Sequence, residues 1–123
     1  MAGNPHDHDC RVYGIRNCDT MRKAFAWLTA QGVAYEFVDY KKPGIAEARL
    51  PDWNRRVGWK TLLNTRGPTW KKLPDEDRAD IDEARALALM ARHPTLIRRP
   101  VLDTGNLLLV GFDTECYARE LGA

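Results

Sequence analysis

Arg11-Val12-Tyr13-Gly14-Ile15-Arg16-Asn17-Cys18-Asp19-Thr20 passes from a β-prone run into a cluster of turn- and cap-forming residues. A strand over residues 11 to 15 is expected to end just before Cys18. Beyond it, Met21, Ala24, Phe25 and Leu28 recur at steps of three and four, the spacing of one apolar helix face, and Gly32 is placed to close the segment. A cysteine at this junction faces the unpaired N–H groups and the positive dipole end of the helix, and both favour its thiolate. Thiolate is the nucleophile of disulfide exchange and of attack on electrophilic oxyanions. The same spacing also suits a cysteine packed as a small apolar residue, although Asn17 and Asp19 beside it disfavour burial.

Outward from this junction, Val33 to Asp39 alternates in the manner of a strand and runs into the turn Tyr40-Lys41-Lys42-Pro43-Gly44. That completes a β-α-β unit with parallel strands. Residues 45 to 92 read as a block of three or four helices broken at Pro51, Gly58 and Thr65-Arg66-Gly67-Pro68. The last of them is expected from about Glu76 to Arg92, with Ile81, Ala84, Leu87, Ala88 and Ala91 on one side and His93-Pro94 as the stop. Arg99-Pro100-Val101-Leu102, the turn Thr104-Gly105-Asn106 and Leu107 to Val110 form a hairpin, and Thr114 to Leu121 a closing helix. The order β-α-β, helical insertion, β-β-α predicts an α/β, thioredoxin-like fold with a mixed four-stranded sheet. A single domain is expected over residues 11–123, with the insertion at about 45–92 and a flexible tail over residues 1–10.

A length of 123 residues, 44% hydrophobic and 29% charged, suits one globular domain able to bury a core without disulfides or metal. No apolar run approaches the ~18 residues that a membrane span needs, and Met1 to Asp9 carries no apolar core of a signal peptide. A cytoplasmic protein with reduced thiols is expected, since Cys10, Cys18 and Cys116 form an odd set without paired spacing. The near balance of 19 basic and 17 acidic residues argues against a general nucleic-acid or membrane-surface binder. Lys71 and Lys72 beside Trp70 read as a solvated edge next to a packed ring.

Arg99-Pro100 is the second candidate feature. A proline opening the strand of a thioredoxin-like second half is commonly cis and turns the preceding residue toward the first loop, where Arg99 would stabilise a thiolate or grip an anion. Arg98 and Arg99 equally suit two solvated charges at a strand start. Arg66 lies in Asn64-Thr65-Arg66-Gly67, a loop rich in donors of the kind that surround anions. His6, His8 and Cys10 are metal-binding types, but no second ligand cluster follows at zinc-site spacing, so no metal is expected. His93 suits a helix end and Cys116 packing.

Three separated motifs, Val12 to Thr20, Leu62-Leu63-Asn64-Thr65-Arg66-Gly67 and Ile97-Arg98-Arg99-Pro100-Val101, together resemble the ArsC-type arsenate reductase family over about residues 11 to 121. The likeness is greatest to its YffB-like branch, whose members carry Tyr-Gly-Ile-x-Asn-Cys-Asp-Thr. The resemblance implies a thioredoxin-like fold with a helical insertion, Cys18 as nucleophile, and Arg66 and Arg99 around the anion. The family's third arginine falls after the hairpin, where Val110-Gly111-Phe112-Asp113 has none. By this likeness the chain is a thiol oxidoreductase with glutathione as co-substrate, no bound cofactor, and glutaredoxin as a further partner. Arsenate reduction is the alternative activity. A neighbouring branch, the Spx-type regulators, binds RNA polymerase and carries Cys-x-x-Cys, whose second position here is Met21; a non-catalytic regulator of that kind is the alternative of another class. Residues and resemblance together predict Cys18 as the catalytic group, Asn17, Thr20, Arg66 and Arg99 as the anion cradle, Pro100 as a cis-proline, and a monomer whose Cys18 is resolved by an external thiol.

Overall fold

Residues 10–121 are described by a computed structural model. In chain order the elements are β1 (Arg11–Gly14), α1 (Asp19–Ala30), β2 (Glu36–Asp39), α2 (Ile45–Val57), α3 (Trp59–Leu62), α4 (Pro68–Lys72), α5 (Asp75–Arg78), α6 (Glu83–Arg92), β3 (Val101–Asp103), β4 (Leu108–Val110) and α7 (Thr114–Leu121). They fall into two compact units, one made of the chain up to Asp39 together with that from Arg99, the other of Tyr40–Arg98. The insertion is thus wider than residues 45 to 92. Among the described residues no helix is long and apolar enough to cross a membrane.

The first unit is built on a four-stranded sheet in the order β2-β1-β3-β4. β1 pairs parallel with β2, from Arg11 opposite Glu36 to Gly14 opposite Asp39. It pairs antiparallel with β3, Val12 opposite Leu102, and β3 runs antiparallel to β4. This is the mixed sheet of a thioredoxin-like α/β fold. Val12, Tyr13 and Gly14 are all buried, as expected of a central strand covered on both faces. Met21, Ala24 and Leu28 form the buried face of α1, and Met21 and Leu28 join Cys10, Val12, Leu102 and Tyr117 in one core. Gly14 allows this approach: a Cβ there would lie 2.4 Å from both Sδ and Cε of Met21.

Two boundaries differ from expectation. β2 begins at Glu36 and not at Val33, because Val33 N–H closes α1 by bonding Leu28 C=O after Gly32 turns the chain at φ 73°. The half-buried Tyr35 that mimicked strand alternation is stacked on Phe25, with ring centroids 5.3 Å apart. Residues 1–9 of the expected tail lie outside the described residues. Cys10 does not belong to a tail, since it is buried and its carbonyl accepts the Glu36 N–H.

The second unit holds five helices, not three or four, and a 3₁₀ turn over Pro94–Leu96. Pro51 does not break α2 but sits inside it. Pro51 and Glu47, whose carbonyl loses its helical donor, are both exposed, so water can replace the bond. The helix expected from Glu76 to Arg92 is two. Asp80 turns the chain at φ 51°, and Asp82 starts α6 by accepting the Arg85 N–H at 2.9 Å. The later start gives α6 a buried face of Ala86, Leu89 and Met90, while Ala84 and Ala88 are exposed. Leu62 C=O accepts Arg98 N–H, Leu96 C=O accepts Asn64 N–H, and the buried Tyr40 hydroxyl donates to Ile97 C=O at 2.8 Å.

Candidate active site

Cys18 is the N-cap residue of α1, extended at φ −119° and ψ 132°, and its carbonyl accepts the Arg22 N–H that starts the helix. Asn17 before it adopts φ 60°, a conformation that asparagine tolerates better than most residues. The turn leaves the Cys18 side chain half-buried against the core. Arg99, from the segment leading into β3, donates its Nε–H to Cys18 Sγ at 3.4 Å. The Arg99–Pro100 peptide bond is cis. Burial pushes the Cys18 pKa up, but the Met21 N–H, the Arg99 side-chain N–H, the Thr20 N–H and the Arg99 charge together outweigh it. The thiol titrates below its ordinary 9.0. A helix start and a guanidinium thus both favour the thiolate form of Cys18, which is the environment of a reactive cysteine.

Of the anion-cradle residues read from the sequence, the structure brings Arg99 and the Thr20 N–H to the sulfur. Asn17 shapes the turn and is exposed. Arg66 belongs to the other unit, where it is exposed and its own N–H donates to Asn64 Oδ1 at 3.0 Å. Sequence reasoning passed over Arg16, whose guanidinium carbon sits 4.9 Å from the centroid of the Phe37 ring. Its signal was present as a cation two residues before the cysteine.

The other two cysteines are free thiols of different character. Cys10 precedes β1 and Cys18 follows it, so the strand holds them at opposite ends; Cys10 to Gly14 alone spans about 13 Å. Burial first, and then the Asp103 carboxylate, push the Cys10 thiol up to about 11. Cys116 is half-buried on α7. Where a third arginine was sought after the hairpin, Gly111 turns at φ 84° and Phe112 packs edge-on against Tyr117, centroids 5.0 Å apart. Lys71 and Lys72 end α4 exposed beside the half-buried Trp70. His6 and His8 lie outside the described residues.

Comparison with known proteins finds relatives over nearly the whole chain. A solved YFFB protein is 47% identical over 91% of this chain and 98% of its own, with a TM-score of 0.85. A solved arsenate reductase (ArsC) related protein from Brucella melitensis is 41% identical over 93% and 95% of the two chains, with a TM-score of 0.74. An uncharacterized Haemophilus influenzae protein is 36% identical over 86% of this chain and 93% of its own. The global transcriptional regulator Spx of Streptococcus mutans is more distant, at 24% identity over 80% and 73%. The ArsC family model matches residues 13–119 and so takes in β2, β3 and β4, the end of β1, Cys18, Arg66 and Arg99. With that match, a thioredoxin-like sheet and a cysteine poised at the first helix, the chain belongs to the ArsC family.

Proposed function

We propose that this protein is a glutathione-dependent thiol oxidoreductase acting through the single thiolate of Cys18. The observation that carries the reading is the Arg99 Nε–H on Cys18 Sγ at the start of α1, because a thiolate stabilised in the resting protein is ready to attack. In the first step Cys18 thiolate attacks the glutathionyl sulfur of a mixed disulfide. A Cys18–glutathione S–S bond forms, the old S–S bond breaks, and its electron pair leaves on the other sulfur, which takes a proton from solvent. In the second step an external glutathione thiolate attacks the adduct, releasing oxidised glutathione and regenerating Cys18 thiolate. Glutathione is the reductant, in keeping with a reducing cytoplasm. An external thiol resolves the adduct in this reading, since Cys10 lies at the far end of β1 and carries a raised pKa.

Arg99, Asn17 and the Thr20 N–H serve as anion-binding groups in this reading, and for Arg66 the family resemblance implies an anion-binding role. Arsenate reduction with glutaredoxin is the alternative use of the same thiolate; the packed Phe112 in the segment of the missing arginine weighs against it. Against the Spx-type disulfide switch, Met21 takes the second cysteine's position and is 1% exposed in the core. Mass spectrometry after treatment with oxidised glutathione is expected to find the adduct on Cys18, and Cys18→Ser is expected to abolish turnover of a glutathione mixed disulfide. Turnover that survives in Cys18→Ser refutes the proposal.

A further inference from the structure

Oxidised glutathione brings several carboxylates to Cys18, more than Arg99, whose Nε–H is on the sulfur, can hold alone. The turn itself carries another cation. Arg16 precedes Cys18 by two residues, which keeps their Cα atoms within about 7 Å. It is exposed, yet it is not loose: its guanidinium lies over the Phe37 ring at 4.9 Å. Phe37 in turn meets Phe25 edge-on at 5.5 Å, and Phe25 is stacked on Tyr35. An aromatic platform restrains a guanidinium without using up its forked N–H donors, which remain suited to a carboxylate. The nearby Asp19 carboxylate is ion-paired with Arg22 and does not compete for Arg16.

We infer that Arg16 is a specificity-determining residue that grips a carboxylate of the disulfide attacked by Cys18, selecting anionic thiol partners such as glutathione over neutral ones. The inference rests on the proposed thiol chemistry and adds to it a residue and a selectivity. The bond-making step is unchanged: Cys18 sulfur gains the new S–S bond and the departing sulfur takes the electron pair and a proton.

The test is the ratio of the second-order rates at which Cys18 reacts with oxidised glutathione and with bis(2-hydroxyethyl) disulfide, which carries no charge. The ratio is expected to fall about fivefold or more in Arg16→Gln, the loss of one charge-assisted hydrogen bond at an exposed site. Arg16→Lys should restore part of it, Phe37→Leu should lower it by less, and added salt should narrow the difference between wild type and Arg16→Gln. An unchanged ratio in Arg16→Gln overturns the inference and leaves the thiol chemistry standing. Failure of wild-type Cys18 to react with either disulfide overturns both.

Discussion

Cys18 and Cys10 are the same residue type with opposite titration, and the difference lies in what surrounds each sulfur. Cys18 has helix-start N–H groups and Arg99 against a partial burial cost, and its pKa is lowered. Its alkylation rate is therefore expected to rise with pH through an inflection below 9.0. Arg99→Met should move that inflection upward, reducing the thiolate fraction and the rate at neutral pH. A pH profile of iodoacetamide reaction checks it; an unmoved inflection would show that Arg99 does not hold the thiolate. Cys10 behaves inversely. With a folded pKa pushed up to about 11, it stays a neutral thiol while the unfolded chain ionises near 9.0. The unfolded state then binds fewer protons between those values, so stability falls as pH rises from about 9 to 11, by up to ~3 kcal/mol. Denaturant titrations across that range should show the decline, and Cys10→Ala should lessen it, leaving the part due to the buried Tyr117 hydroxyl, whose pKa burial also raises. The Cys18 environment was legible because cap residues and helix spacing adjoin it in the chain. That of Cys10 was not, since its polar neighbours read as a tail and only pairing beside β2 buries it.

At the scale of elements, the meeting of β1 and α1 depends on Gly14 having no side chain. Gly14→Ala should destabilise the fold by about 1–3 kcal/mol, because the new Cβ meets Met21 Sδ and Cε at 2.4 Å. Met21→Ala clears that space, so the double variant should lose less than the two single losses added, as a thermodynamic cycle will measure. Additive losses would mean that the contact is not what requires glycine. In the insertion, Asp82→Ala removes the side-chain acceptor of the Arg85 N–H and should cost about 1 kcal/mol in the same assay. The periodicity of α1 was legible from Met21, Ala24 and Leu28, which face a single core. The face of α6 was misread because Asp80 and Asp82 reset where the helix begins, and the apolar spacing upstream of Glu83 does not continue through that turn.

For the molecule as a whole, the proposed chemistry uses one cysteine, and the strand between Cys10 and Cys18 keeps those two thiols at its opposite ends. The Cys10→Ala/Cys116→Ala variant is expected to keep turnover of a glutathione mixed disulfide within about twofold, provided near-UV circular dichroism shows a native core; a larger loss in folded protein would place a second thiol in the cycle. The order β-α-β, insertion, β-β-α could be read along the chain, because strand alternation, helix spacing and turn residues are local signals. So could Cys18 at its junction. Local signals do not say which groups from distant positions meet. Arg99 reaches Cys18 across 81 positions, Phe37 carries Arg16, and the second unit begins at Tyr40 and ends at Arg98, wider than the helical block read from the chain. The linear sequence by itself determined the order of the elements and the place of Cys18 at the strand-to-helix junction. Only the tertiary structure decided how near each cation comes to Cys18, because a thiol's pKa and a cation's reach depend on distances that only the folded chain sets.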